Sequence, residues 1–276
     1  MTLQNLQGAL FKLYLNTGYR LAHRLSPDSF IDHLGLDEES ADIVRKLSPQ
    51  EVDDFATALR GKQLLSVSYS LPTTFKWLQE HHPALTREFQ EISVPSRSDD
   101  SFVLAKRFVA FLRESRDFYD SIPKALPDVA QLELMLMMAR KDQALRVGQG
   151  SADPAPSGAF SLNSLCWTPA RTSAGSFSVD ALGILLRKRS MTDSGAPSWV
   201  VVSPAPSGVR PTILKISAPA YAVLDAMKEP ITVRQLLSRC QARGIEISED
   251  ALITLLAKLE SSQVVCSYHT EATDAC

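Results

Sequence analysis

Five histidines (His23, His33, His81, His82, His269) and four cysteines (Cys166, Cys240, Cys266, Cys276) are the side chains in this 276-residue sequence best suited to hold a metal or attack a carbonyl. Adjacent helical residues point about 100° apart, so His81 and His82, with Glu80 and Glu88, make poor co-ligands and read as a solvated helix end. The cysteines are widely spaced and form no Cys-x-x-Cys pair, whereas a structural zinc needs paired ligands at short spacing. Buried free thiols are expected, with Cys276 exposed. No Ser/His/Asp or Cys/His set stands at a recognisable catalytic spacing, and no Gly-rich loop precedes a helix. The acidic groups Asp37-Glu38-Glu39, Asp53-Asp54 and Asp99-Asp100 fall at or near helix starts, where the helix dipole favours carboxylates. The residues therefore point to a chain without an active site, and with no metal or cofactor of its own.

The elements that carry these residues fall into two halves. Leu3, Leu6, Leu10 and Leu13 recur at helical spacing behind Thr2. Ser26-Pro27 and Asp37 open helices over 27–34 and 38–47. Ser48-Pro49-Gln50-Glu51 combines an N-cap serine, a proline at the first helical position and a capping-box glutamate, and starts a helix reaching about Val67. Helices over 71–80 and 83–92 follow. Asp100 caps a helix in which Val103, Phe108, Phe111 and Leu112 share a face. A last helix from about Pro127 aligns Val129, Leu132, Leu136 and Ala139. Residues 1–145 thus read as an all-helical domain.

Residues 146–158 turn to Gly, Ser, Pro and Ala with almost no apolar anchor, the composition of a flexible linker. Beyond it, residues 159–276 mix strands and helices. Ala181–Arg189, Trp199–Ser203 and Thr212–Ser217 read as strands between turn-rich segments, with an extended Phe160–Trp167 packed across them. Helices follow over 219–227, 233–243 (stopped by Gly244) and 249–260, with Thr232 and Ser248 as caps. Val264–Tyr268 closes as a strand. Three strands, three helices and a terminal strand predict a winged-helix-like α+β module.

A winged helix raises the question of DNA. Lys and Arg total 29 against 31 Asp and Glu, a formal charge of −2, whereas phosphate-binding proteins are usually basic. The third helix, Glu249–Glu260, holds Lys258 against Glu249, Asp250 and Glu260, and so lacks the base-reading and phosphate-holding side chains of a recognition helix. Leu252, Leu255, Leu256 and Leu259 form its core stripe. Ile253 and Ala257 lie outside that stripe, either as a widened core face or as the wall of a groove for an apolar peptide. The longest apolar runs, such as Leu134–Ala139, fall short of the roughly 18 residues of a membrane span, and no secretory signal is visible. A cytoplasmic location is expected.

Two segments carry a family resemblance. Ile213–Met227, with its Ser217-Ala218-Pro219-Ala220 helix start and Leu224-Asp225 pair, followed by Pro230-Ile231-Thr232-Val233-Arg234-Gln235-Leu236-Leu237, resembles the PqqD-like recognition element of ribosomally made, post-translationally modified peptide (RiPP) biosynthesis. The likeness spans roughly 179–273. It implies that a precursor's leader peptide adds as a strand to the third strand and packs on the third helix, which assigns peptide binding to Thr212, Ile213, Leu214, Lys215, Ile216, Ile253 and Ala257. In the first half, Phe102–Leu112 and Leu126-Pro127-Asp128-Val129-Ala130-Gln131-Leu132-Glu133 resemble the helical domain of TglI-like partner proteins of multinuclear non-haem iron oxidative enzymes. Methanobactin partner proteins are more distantly similar. The resemblance implies a non-catalytic accessory subunit that presents the C-terminal cysteine of a carrier peptide to a TglH-like multinuclear iron enzyme. That enzyme would excise the cysteine β-carbon in 3-thiaglutamate biosynthesis, and the iron would belong to it. A winged-helix transcription regulator and an independent enzyme are the rival readings.

Overall fold

Side-chain caps set the helix starts. In the computed structural model, which describes residues 3–93, 100–146, 160–192, 195–204 and 210–268, the chain divides into two compact units, Met1–Phe111 and Leu112–Cys276. The first unit contains α1 (Leu3–Leu15), α2 (Thr17–Leu25), α3 (Pro27–Leu34), α4 (Glu38–Lys46), α5 (Pro49–Ser70), α6 (Pro72–His81) and α7 (Pro83–Ile92). Helix α8 (Ser101–Phe118) begins in it and runs across the division. Ser48 and Glu51 form the capping box that starts α5, and Asp37 and Asp100 accept the Ser40 and Val103 N–H groups. Helix α2 has no counterpart in the sequence reading. Its start is Asn16, whose side chain accepts the Gly18 and Tyr19 N–H groups. One core of this unit gathers Leu6, Leu13, Phe30, Ile31, Ala41, Val44 and Val52, and a second brings the ring of Phe89 edge-on to Phe108 at 4.8 Å.

The second unit holds α9 (Ala125–Arg146), β1 (Leu165–Trp167), β2 (Ser173–Phe177), α10 (Ala181–Leu185), β3 (Ser198–Ser203) and β4 (Thr212–Ile216). It continues with α11 (Ala218–Ala226), β5 (Ile231–Thr232), α12 (Val233–Ala242), α13 (Glu249–Ser261) and β6 (Cys266–Tyr268). Among the described residues two three-stranded antiparallel sheets form, in the orders β5-β1-β6 and β2-β3-β4. Thr232 and Gln235 form a capping box at α12, and the Val233 and Arg234 N–H groups donate to the Ser164 and Leu162 carbonyls.

The structure corrects the sequence reading in this half at three points. Ala181–Arg189 is not a strand: Asp180 accepts the Gly183 N–H, α10 forms, and Arg187 turns the chain at φ 57°. The first strand of the meander is instead Ser173–Phe177, too poor in β-formers to announce itself. Leu165–Trp167 does not cross the meander but pairs with β5 and β6 in the other sheet.

The expected domain limit at 145 also differs from the division at Phe111/Leu112, because α9 packs on β2, β3 and α10. Of the expected linker, Arg146 ends α9 and 147–158 lie outside the described residues. Ala174, Val201 and Leu214 lie in one row across β2-β3-β4, and this row packs on the core of α11, α12 and α13. The adjacent row, Gly175, Val200 and Lys215, faces the opposite way, and there Gly175 lies against Met135 of α9. Val200, Val201 and Val202 are accordingly all fully buried. The meander is thus a middle layer between α9 and the three C-terminal helices.

Candidate peptide-docking edge

In the order β2-β3-β4, the strand β4 pairs with β3 on one side and, among the described residues, with no strand on the other. An antiparallel edge strand directs alternate backbone N–H and C=O groups outward, where an added strand can take them. Thr212, Leu214 and Ile216 share the face toward the C-terminal helices, whereas Ile213 and Lys215 face the other way. The seven expected binding residues are therefore not one surface. Leu214 and Ile216 are partly buried against the same core as Ile253 and Leu255 of α13. That core is built by Leu252, Leu256 and Leu259 of α13 together with Val223, Leu236 and Val264. Ile253 is thus half covered, neither fully core nor free, and Ala257 one turn on is exposed.

On the opposite face, Lys215 Nζ lies 3.2 Å from Asp180 Oδ1, and Arg189 Nε donates to Asp180 Oδ2 at 3.1 Å. Partial burial works against the Asp180 charge, but the Gly183 N–H, Lys215 and Arg189 outweigh it and hold the carboxyl below its usual range. Asp180 escaped the sequence reading. Its signal is a carboxylate one residue ahead of Ala181-Leu182-Gly183-Ile184, the position of an N-cap.

Several other chemistry-bearing residues have structural roles, while Asp99 and His269 lie outside the described residues. His81 stacks on Trp77 (4.5 Å, 6°) and bonds its carbonyl, and the buried His23 donates to the Val44 carbonyl. Asp53 pairs with Arg20 and Arg24 rather than serving a helix start, and Asp54 accepts from Gln50. Cys166 and Cys240 are buried thiols; burial pushes Cys166 up to about 12 and raises Cys240 despite the nearby Arg243. Cys266 is half-buried, and Cys276 lies outside the described residues. Among the described residues no three His, Cys, Asp or Glu side chains gather as metal ligands, and no helix is long and apolar enough to cross a membrane. Within Leu126–Glu133, Asp128 accepts hydrogen bonds from the Ser178 N–H and Oγ, both at 2.7 Å. The chain matches no protein-family model and no curated protein.

Proposed function

We propose that this chain is a non-catalytic partner subunit that binds an extended leader segment of a ribosomally made precursor along β4. In this reading it presents the precursor's C-terminal cysteine to a TglH-like iron-dependent oxidative enzyme. The observation that carries the proposal is the open edge of β4, whose Leu214 and Ile216 share a core with the half-covered Ile253. Strand addition supplies backbone hydrogen bonds of about 0.5–1.5 kcal/mol net each, and the neighbouring side chains supply selectivity. The succession α11, β5, α12, α13, β6 after a three-stranded meander supports a winged-helix-like recognition element. The acidic start of α13, with Glu249 and Asp250, weighs against a DNA recognition helix. Iron and the β-carbon excision come from the family resemblance, and a cytoplasmic setting from the short apolar runs and the lack of a visible secretory signal.

The test is reconstitution with a TglH-like iron enzyme and its precursor peptide. Cysteine processing is expected only when this chain is present, together with measurable binding of the leader by the chain alone. Tight, salt-dependent binding to duplex DNA without leader binding would establish the regulator instead, and turnover by this chain alone would make it an enzyme.

A further inference from the structure

A strand added to β4 continues the pleat, so its side chains fall alternately on the two faces of the meander. On the helix face they meet Leu214 and Ile216, which pack on the same apolar core as Ile253. On the other face they meet Ile213 and Lys215 and the turn after α10. That turn carries Arg187, Lys188 and Arg189, all exposed, and its start is fixed by the Lys188 N–H on the Gly183 carbonyl at 2.8 Å. Within residues 178–192 and 212–216 the described acidic side chain is Asp180, against these three and Lys215; near this segment, Asp128 is taken up by Ser178 and Asp120 lies beside Ser178 and Thr192. The Asp180 carboxylate already bridges Lys215 and Arg189 and cannot balance four cations. Arg210, exposed, adds another positive charge two residues before the strand. A lysine on an open edge also discourages pairing with a neutral or basic strand. An acidic strand offsets that charge and is the one favoured.

We infer that the segment bound by β4 alternates apolar and acidic residues, with the acidic side chains over Lys215 and the Arg187–Arg189 turn. This rests on β4 being the docking edge and specifies the chemistry of its ligand. Acidic residues in the other phase would meet the apolar core and lie on the side of Asp250, one turn before Ile253. The charge pattern therefore fixes register as well as identity, since a one-residue slip exchanges the two faces.

Three labelled peptides of about nine residues test it, with valine at alternate positions and Asp, Ser or Lys at the others. Fluorescence anisotropy with the full chain is expected to show the Asp peptide binding about tenfold tighter than the Ser peptide at low salt, and the Lys peptide weakest. The preference is expected to fade near ~0.5 M salt, where screening is short-ranged. Lys188→Glu with Lys215→Glu is expected to reverse the order; Lys188→Glu alone, on an exposed turn residue, gives the same direction should the double variant fold poorly. Equal binding of all three peptides, weakened in each case by Ile253→Asp, overturns the acidic ligand and leaves the docking edge standing. Asp-peptide binding indifferent to both charge variants overturns the inference too. If no peptide binds, both the docking edge and its ligand are overturned.

Discussion

Asp128, in the first turn of α9, accepts both the backbone N–H and the hydroxyl of Ser178, three residues ahead of α10. The bond pair joins the helix over one face of the meander to the exit of β2. A carboxylate there also suits the positive end of the helix dipole. Hydrogen bonds to charged acceptors contribute about 1.5–3 kcal/mol when shielded and less in the open. Asp128 is half-buried, so Asp128→Ala is expected to destabilise the second unit by about 1–2 kcal/mol, with Asp128→Asn recovering part of it. Urea titration followed by tryptophan fluorescence measures both, and an unchanged midpoint in Asp128→Ala would show that this pair does not hold the helix.

Gly175 tests the same layer by crowding. A Cβ there would lie 2.7 Å from Phe177 Cζ and 3.1 Å from Met135 Sδ. Phe177 and Met135 are both buried and have little room to yield. Gly175→Ala is therefore expected to cost about 1–3 kcal/mol despite the better strand propensity of alanine. A neutral or stabilising result in chemical denaturation would mean that α9 does not press on the sheet.

Such layering was legible only in part. Ser48/Glu51, Thr232 and Ser248 revealed their helices because capping is local chemistry that a few residues state completely. Ala181–Leu186 misled because a short apolar run has no decisive period, and the Asp180 cap that tips it to helix acts through its Gly183 bond. Val200-Val201-Val202 held a usable clue: a continuous apolar run belongs to a strand covered on both faces, so a second covering layer was required. That the layer is α9 depends on long-range packing, which spacing cannot express. At the site, Thr212–Ser217 was legible as a strand and Ile253 as an off-stripe residue, whereas an edge that takes up a peptide came only from the family resemblance. The Lys215–Asp180 pair joins residues far apart in sequence and was not.

Burial also makes a prediction for the thiols. Thiolate is the reactive form, and the Cys166 thiol, pushed up to about 12, donates to the Ile231 carbonyl. At pH 8, iodoacetamide is expected to leave Cys166 and Cys240 unmodified in the native protein and to label both in urea. Peptide mass spectrometry reads the outcome, and rapid native labelling of Cys166 would show that its pocket opens.

Asp180 sets an acid limit. Its folded-state carboxyl titrates below the unfolded value of ~3.9, so its contribution is present above that value and is lost as pH falls through the folded one. Asp180→Asn is expected to be less stable than the parent at pH 7 and to converge with it under acid. Thermal melts between pH 2 and 7 follow this. A stability gap that stays constant across the range would mean that the carboxylate charge is not what Lys215 and Arg189 stabilise.

The half-covered state of Ile253 gives the last prediction. Burying a whole isoleucine contributes about 1.5–3 kcal/mol, and its own core already takes part of that. What is left for a peptide corresponds to about three- to tenfold in affinity, and Ile253→Ala is expected to weaken binding of the alternating Val/Asp peptide by that much. Its melting temperature should fall only slightly. Leu252, next to it and fully buried, provides the contrast: Leu252→Ala is expected to cost about 2–5 kcal/mol of stability, as core truncations do. Ala257 is exposed, so Ala257→Asp should cost no more than about 0.5–1 kcal/mol, from helix propensity and the helix dipole, and weaken the peptide only if the groove extends along α13. Anisotropy titrations and melts on the three variants separate the roles. If Ile253→Ala binds the peptide at full strength, the peptide does not reach α13, and the contact shrinks to the backbone of β4 and the charges around Lys215.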